Sequence, residues 1–172
     1  MIALKQKEST NRARLHGFTL IEVLVALLVL SIGLLGLAAL QTTSLKYNTD
    51  SYFRTQATLL AYDIIDRMRT NTTGLYAGNY DAATSAAAAA KVSAYNACKA
   101  SGCRCDASTA NCSTSSLATY DLGKWYEKIS ALLPEGSTNL ATISRTASNM
   151  VTITVQWKER DIPMSHVWEV QL

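Results

Sequence analysis

The stretch from Gly17 to Leu30 reads GFTLIEVLVALLVL and decides the first half of the fold. Between Val23 and Leu40 the only polar side chain is that of Ser31. With Phe18 added at its start, this apolar segment is long enough to cross the hydrocarbon core of a bilayer, about 30 Å, as an α-helix. A helix that is apolar all round has no face that suits water. We therefore expect residues 18–40 to form a membrane-inserted helix.

The 17 residues that precede this helix are basic. They hold Lys5, Lys7, Arg12 and Arg14 against a single acid, Glu8. Such an excess of positive charge keeps a leader on the cytoplasmic side of a membrane, so the chain beyond the apolar helix is expected to be exported. The whole chain has 16 basic and 13 acidic residues, and removal of the leader leaves twelve of each. The positive charge therefore indicates targeting and gives no support for nucleic-acid binding.

One acid, Glu22, lies near the start of the apolar segment. A charged side chain at the centre of a bilayer costs about 2.5 to 3.5 kcal/mol on insertion scales, so its presence indicates a function and a partner. An ordinary secretory signal is cut after its apolar region and has no use for such an acid. A simpler interpretation stays open, in which Glu22 is an acid that the macrodipole favours at a helix N-terminus.

The segment from Gly17 to Val23 resembles the prepilin signature of type IV pilins and of the related pseudopilins. The resemblance implies that a membrane peptidase cuts after Gly17, on the cytoplasmic side, and then N-methylates Phe18. The apolar helix is kept. The resemblance also implies a partner for Glu22, the new ammonium group of Phe18 on a neighbouring subunit, and this pair sets the register of assembly. A pair within one chain stays open, because residues i and i+4 are neighbours on a helix.

The apolar helix is expected to continue as an amphipathic helix over residues 41–71. Apolar residues recur at helical spacing from Leu59 to Met68, with charged residues between them. This change of pattern predicts that the second half of the helix lies against a folded domain. The stretch from Asn71 to Gly74 is expected to end the helix.

The remaining elements predict a small head. An alanine-rich stretch that starts at Ala86 favours a short helix reaching Tyr95, and residues 117–133 favour a second helix, which Pro134 ends. Alternation of apolar and polar residues favours strands near the end of the chain. The expected strands are residues 139–146, 151–158 and 166–172. The order of elements predicts an α+β fold, in which a long N-terminal helix packs on a small C-terminal antiparallel β-sheet.

Three segments of this chain resemble the minor pilins of the PilV family. They are Ala61–Asn71, Leu133–Gly136 and Val151–Trp157. Together with the prepilin signature, the resemblance implies a type IV pilin-like fold with four parts. These are a leader at 1–17, a transmembrane and filament-core helix at 18–40, the amphipathic half of that helix at 41–71, and a head at 72–172 with a cysteine-rich loop at 98–112.

The head holds four cysteines, Cys98, Cys103, Cys105 and Cys112. Their spacing does not match the well-separated pairs of cysteines that form structural zinc sites. An exported loop meets an oxidising compartment, which favours two disulfides. Four cysteines allow three pairings, and the sequence does not choose among them. Free or intermolecular thiols and a metal site stay open as alternatives.

The sequence shows no constellation of catalytic residues. Neither His16 nor His166 has a recognisable partner, and the motifs of serine hydrolases, zinc proteases and phosphate-binding loops are missing. We therefore predict no enzyme, no cofactor, no metal and no small-molecule substrate. Trp125, Trp157 and Trp168 could form a carbohydrate-binding patch, but a place in the core between helix and sheet is favoured.

The resemblance implies that the chain is a minor type IV pilin. It would be a single-pass prepilin of the inner membrane, processed by the prepilin peptidase and methyltransferase. It would then assemble with other minor pilins and the major pilin to prime or cap the pilus, which supports adhesion and twitching motility at the cell surface. Two alternatives stay open. One is a pseudopilin of type II secretion, and the other is an adhesin delivered on a pilus, with residues 74–116 contacting the ligand.

Overall fold

The computed structural model describes residues 17–102, 104–106, 112–135, 141–146 and 149–172. The chain divides into two units, Met1–Leu45 and Lys46–Leu172. The elements, in chain order, are α1 (Leu20–Thr70), α2 (Thr72–Tyr76), α3 (Ser85–Ala100), α4 (Thr114–Leu132), β1 (Thr142–Arg145), β2 (Met150–Glu159) and β3 (Ile162–Gln171).

In the first unit, α1 is apolar on every side. By its length and composition it can cross a membrane, and none of its most apolar 18-residue window is buried. Three hydroxyl groups of this part donate hydrogen bonds within the helix. Ser31 Oγ donates to the Leu27 carbonyl at 2.7 Å, and Thr42 and Thr43 donate to carbonyls one turn earlier. Polar side chains bonded in this way do not need water, so the expected membrane helix is well formed.

In the second unit, α1 is amphipathic, as the sequence predicted. One face is buried in the head and consists of Ala57, Leu60, Ala61, Ile64, Ile65 and Met68. The helix ends at Thr70, and Arg67 and Arg69 lie in its last turn, where positive charge suits the macrodipole.

The chain turns directly from α1 into the short helix α2, which the sequence did not predict. The Asn71 N–H still donates to the carbonyls of Arg67 and Met68, while its side chain accepts from the Gly74 N–H at 3.2 Å. Asn71 is therefore both the last residue held by α1 and the N-cap of α2.

Both α3 and α4 were predicted from the sequence, but their ends differ from the predicted ends. Thr84 caps α3, which continues beyond Tyr95 to Ala100. The prediction of a loop beginning at Cys98 was therefore wrong, because Cys98 lies on this helix. Ser113 caps α4, so this helix starts at Thr114 rather than at residue 117.

The sheet is antiparallel in the order β1-β2-β3. The strand β3 begins four residues earlier than residue 166, because only Arg160 and Asp161 form the turn after β2. Both have positive φ, 52° and 67°, which matches the twist of a two-residue hairpin. The Arg160 guanidinium also binds the Asp50 carboxylate at 2.8 Å. The expected first strand included residues 139 and 140, which lie outside the described residues.

The core of the head lies between α1, α4 and the inner face of β2. That face alternates as predicted, with Val151, Ile153, Val155 and Trp157 buried. From α4, Leu122, Trp125, Tyr126 and Ile129 pack against it. Trp125 and Trp157 are 0 % and 1 % exposed, and Trp168 packs half-buried on the same cluster, so the core placement is confirmed. The α+β fold with a long N-terminal helix and a small antiparallel sheet is also confirmed.

Candidate functional site

The junction between the leader and α1 has a defined backbone geometry. Gly17, Phe18 and Thr19 precede the helix, and Thr19 is its N-cap. The Thr19 Oγ1 atom accepts a hydrogen bond from the Glu22 N–H at 3.3 Å, and the Thr19 carbonyl accepts from the Glu22 and Val23 N–H groups at 3.1 and 3.3 Å. Threonine is a preferred N-cap because its oxygen satisfies an N–H that the helix leaves free. The bond between Gly17 and Phe18 therefore lies outside the helix.

This bond is also open to a partner molecule. Phe18 is 83 % exposed. A Cβ atom built on Gly17 would meet no heavy atom of the described residues within 4 Å. The fold of the described residues therefore does not itself require glycine at position 17.

Glu22 lies in the first turn of α1, at the third helical position. Its backbone N–H is bonded to Thr19, but its carboxylate has no hydrogen-bond or ion-pair partner among the described residues. Phe18 and Glu22 border the same shallow groove of about 430 Å³, which is otherwise lined by Val23, Ala26, Leu27 and Leu30. The acid thus stands in an apolar surface, and no described residue compensates its charge.

Two family models match the chain. The prokaryotic N-terminal methylation motif covers residues 12–38, and the family described as type IV pilin Tt1218 covers residues 39–123. The chain belongs to the type IV pilin family. No curated protein and no solved structure matches it.

The two matches adjoin within α1 and end in α4, and the three strands lie beyond them. The methylation motif contains Gly17, Phe18 and Glu22 with the first part of α1, and the pilin model runs from the rest of α1 through α3 into α4. Pilins are structural subunits, and the methylation motif is a substrate site for a separate peptidase. The pilin is therefore not an enzyme, and the apolar helix fits both membrane anchoring and assembly into pili.

The cysteines of the head are oxidised wherever they are described. Cys105 and Cys112 form a disulfide, and Cys98 is also disulfide-bonded. The fourth cysteine, Cys103, lies outside the described residues. Among the residues that the structure describes, no group of three or more His, Cys, Asp or Glu side chains is placed to hold a metal ion.

A buried polar cluster in the head was missed by the sequence analysis. Asp121 on α4 accepts hydrogen bonds from Arg67 at 2.9 Å and from the Tyr80 hydroxyl at 2.6 Å. The Asn71 amide donates to the same hydroxyl oxygen at 3.2 Å and to the Thr114 carbonyl at 2.8 Å. The cluster joins the end of α1, the loop after α2 and the start of α4.

Burial and hydrogen bonding in this part of the head shift the pKa values of two side chains, Tyr80 and Asp63. Burial and the hydrogen bond to Asp121 raise the pKa of Tyr80, so its hydroxyl stays protonated. Burial alone would raise the pKa of Asp63, but hydrogen bonds and charges from Lys128 and Arg67 outweigh it and lower the pKa.

Asn71 begins an Asn-Thr-Thr glycosylation sequon, yet it is only 4 % exposed, so the folded head does not offer it for modification.

A second surface feature lies beside the Cys105–Cys112 disulfide. A pocket of about 240 Å³ is lined by Tyr95, Lys99, Gly102, Arg104, Asp106, Tyr120 and Lys124. Hydrogen bonds from Arg104 and Tyr120 lower the pKa of Asp106 to about 2. Lys99 is paired with Glu127 at 2.8 Å.

Neither histidine belongs to this pocket. His166 is exposed on β3, where its ring lies 4.5 Å from that of Trp168, and His16 lies outside the described residues.

Proposed function

We propose that this pilin is a minor pilin, made as a prepilin, cut between Gly17 and Phe18, N-methylated on Phe18 and assembled with other minor pilins and the major pilin. It would prime or cap the pilus and support adhesion and twitching motility through it. The assignment as a minor pilin rests on the resemblance of three segments to the PilV family.

The observation that carries the processing step is the junction. The Gly17–Phe18 bond is exposed and lies outside α1, and the surrounding fold makes no demand for glycine. A requirement for glycine is then best explained by the pocket of a peptidase that binds this segment. The methylation motif that includes these residues supports the same reading.

The unpartnered carboxylate of Glu22 supports the proposed role in registration. An uncompensated acid in an apolar surface needs a partner from outside the described chain. Cleavage creates one, because the new Phe18 N-terminus carries an ammonium group. Opposite charges at about 4 Å attract far more strongly in a low dielectric than in water. We propose that this ammonium group belongs to a neighbouring subunit.

The proposed division of the chain follows from these roles. Residues 1–17 are the leader, 18–40 the filament-core helix, 41–71 its amphipathic half and 72–172 the head. The leader's positive charge favours a cytoplasmic location, which would place the head in the periplasm before assembly.

The first experiment is mass spectrometry of the mature N-terminus, purified from cells that make pili. We expect a chain that begins with N-methyl-Phe18. An intact Met1, or a cut after Ala39, would remove the basis of the proposal. In sheared pili, the ratio of this chain to the major pilin should be far below one. A ratio near one would make it the major subunit instead.

The second experiment tests Glu22 with the Glu22→Ala variant. We expect normal cleavage but a loss of tenfold or more from sheared pili, since hydrogen bonds to charged groups contribute about 1.5 to 3 kcal/mol. Asp66→Ala is the matched control, because it removes another acid from α1 whose side chain is 74 % exposed. Equal incorporation of both variants would refute the role of Glu22.

A pilus-delivered adhesin is a second candidate, and the pocket beside the disulfide favours it. Three cationic side chains, from Lys99, Arg104 and Lys124, border this pocket. Replacing residues 74–116 while keeping filament assembly would separate the roles, since only an adhesin would lose attachment with normal pili. A type II secretion pseudopilin would be distinguished by secretion-system genes beside its own.

A further inference from the structure

The N-cap of α1 is immediately next to the proposed cleavage site. Helix α1 begins at Leu20, one residue after Thr19, and Phe18 comes directly before Thr19. The first four N–H groups of any helix lack partners within it. In an apolar surrounding no water replaces them, so a side chain that satisfies one of them has a large influence on where the helix starts.

The particular N–H that Thr19 binds matters for the scissile bond. In an α-helix each carbonyl accepts from the N–H four residues later. If α1 began two residues earlier, at Phe18, the Phe18 carbonyl would accept from the Glu22 N–H, and the Gly17 carbonyl would accept from the Ile21 N–H. Thr19 already binds the Glu22 N–H, with its Oγ1 at 3.3 Å and its carbonyl at 3.1 Å. The hydroxyl of Thr19 therefore competes with extension of the helix through Phe18.

A peptidase has to reach both the carbonyl and the N–H of the bond that it cuts. A helix would engage the Gly17 carbonyl in its own ladder, whereas the nonhelical segment leaves it accessible. Phe18 is 83 % exposed and Gly17 has open space around it, so no described residue obstructs this segment.

We propose that Thr19 is a positioning residue for prepilin processing. Through its cap it holds the Gly17–Phe18 bond in a nonhelical form, at a fixed register from the membrane helix. This inference rests on the proposed cleavage after Gly17 but assigns Thr19 a role that the cleavage itself does not require. Loss of the cap lets the helix extend through Phe18, and the competent conformation becomes less populated in the free substrate.

The test uses the full-length prepilin in detergent micelles with a purified prepilin peptidase, and measures cleavage by mass spectrometry. The variants are Thr19→Val, which keeps the shape but loses the hydroxyl, and Thr19→Ser, which keeps the cap. Thr43→Val is the matched control. It makes the same change in the same helix, at a hydroxyl that donates to the Ala39 carbonyl at 3.1 Å.

We expect Thr19→Val to raise KM about fivefold with kcat unchanged, because a fivefold loss of the competent conformer corresponds to the roughly 1 kcal/mol of a lost N-cap. Thr19→Ser should stay within about twofold of the wild type, in keeping with the similar N-cap preference of serine. Thr43→Val should have no effect on KM. Hydrogen exchange provides a readout independent of cleavage: the Ile21 amide should exchange more slowly in Thr19→Val only, because an extended helix bonds it to the Gly17 carbonyl.

Two results would overturn the inference. One is an unchanged KM in Thr19→Val. The other is an equal rise of KM in Thr19→Ser with the exchange of the Ile21 amide unchanged, which would mean that the enzyme reads the side chain directly. If the wild-type chain itself is not cut after Gly17, the proposed function fails. If the wild type is cut and Thr19→Val is cut equally well, only the role of Thr19 fails.

Discussion

Removing the Asp121 carboxylate should destabilise the head strongly. In Asp121→Ala the Tyr80 hydroxyl, on a residue that is 0 % exposed, loses its acceptor, and an unsatisfied buried group costs about 1 to 3 kcal/mol. Arg67 loses its 2.9 Å contact but is 27 % exposed and keeps Asp63 at 3.3 Å. Its share is therefore about 1 kcal/mol, well below the cost of breaking a fully buried pair. The sum is about 2 to 4 kcal/mol, or a fall in Tm of about 8 to 16 °C for a domain of this size.

The assay is thermal unfolding of the full-length pilin in detergent, followed by the fluorescence of the buried Trp125 and Trp157. Asp66→Ala is the control, since its exposed pairing with Arg69 at 3.4 Å should contribute less than about 0.5 kcal/mol. In a double-mutant cycle with Tyr80→Phe, the two losses should fall short of additivity by about 1 kcal/mol, because they share one hydrogen bond. A Tm for Asp121→Ala equal to that of Asp66→Ala would show that the cluster does not stabilise the head.

The remaining predictions concern packing, oxidation and pH. Gly123→Ala should lower the free energy of unfolding by about 1 to 3 kcal/mol in denaturant titrations, because its new Cβ would lie 1.8 Å from Tyr95 Cγ and force α3 away from α4. Replacing both Cys105 and Cys112 by serine should cost about 2 kcal/mol in the same assay, since their bond closes a short loop between residues seven positions apart. The unfolded wild-type chain without reductant should show no reactive thiol. The contribution of Tyr80 to stability should be fully present below pH 10.0, the ordinary pKa of tyrosine, and be lost above it, because the folded state raises the pKa of Tyr80 and so favours the protonated form. Tyr80→Phe should weaken that loss in urea unfolding between about pH 8 and about pH 11.

The parts of the fold that the sequence predicts well are those with a strong local pattern. The all-apolar stretch after Phe18 identifies the membrane helix, and the alternation from Val151 to Trp157 identifies the central strand with its buried face. In both, the pattern of side chains reflects whether each face of the element meets water or apolar surroundings. The end of α1 is also well predicted, because Asn71 is a common residue at helix boundaries.

The parts that escape sequence reasoning depend on contacts far apart in the chain. Asp121 and Tyr80 are 41 residues apart, and each looks like an ordinary surface residue in its own segment. Only the packing of α4 on α1 makes Asp121 a buried acceptor. The start of β3 escaped for a different reason. The predicted start at residue 166 is late, because the turn after β2 needs only Arg160 and Asp161, and Pro163 is tolerated on an edge strand.

The two halves of α1 differ in whether their charged side chains are paired within the described chain. In the second half, Asp50 binds Arg160 at 2.8 Å, Asp63 binds Lys128 at 3.0 Å, and Arg67 binds Asp121 at 2.9 Å, so the head supplies their partners. Glu22, in the first half, has no such partner among the described residues. A charge in an apolar surface is costly until it is paired, whereas the paired charges of the second half are already compensated. Loss of Glu22 should therefore affect assembly and leave the melting of the head unchanged, while loss of Asp121 should lower the melting temperature of the head even in the unassembled pilin.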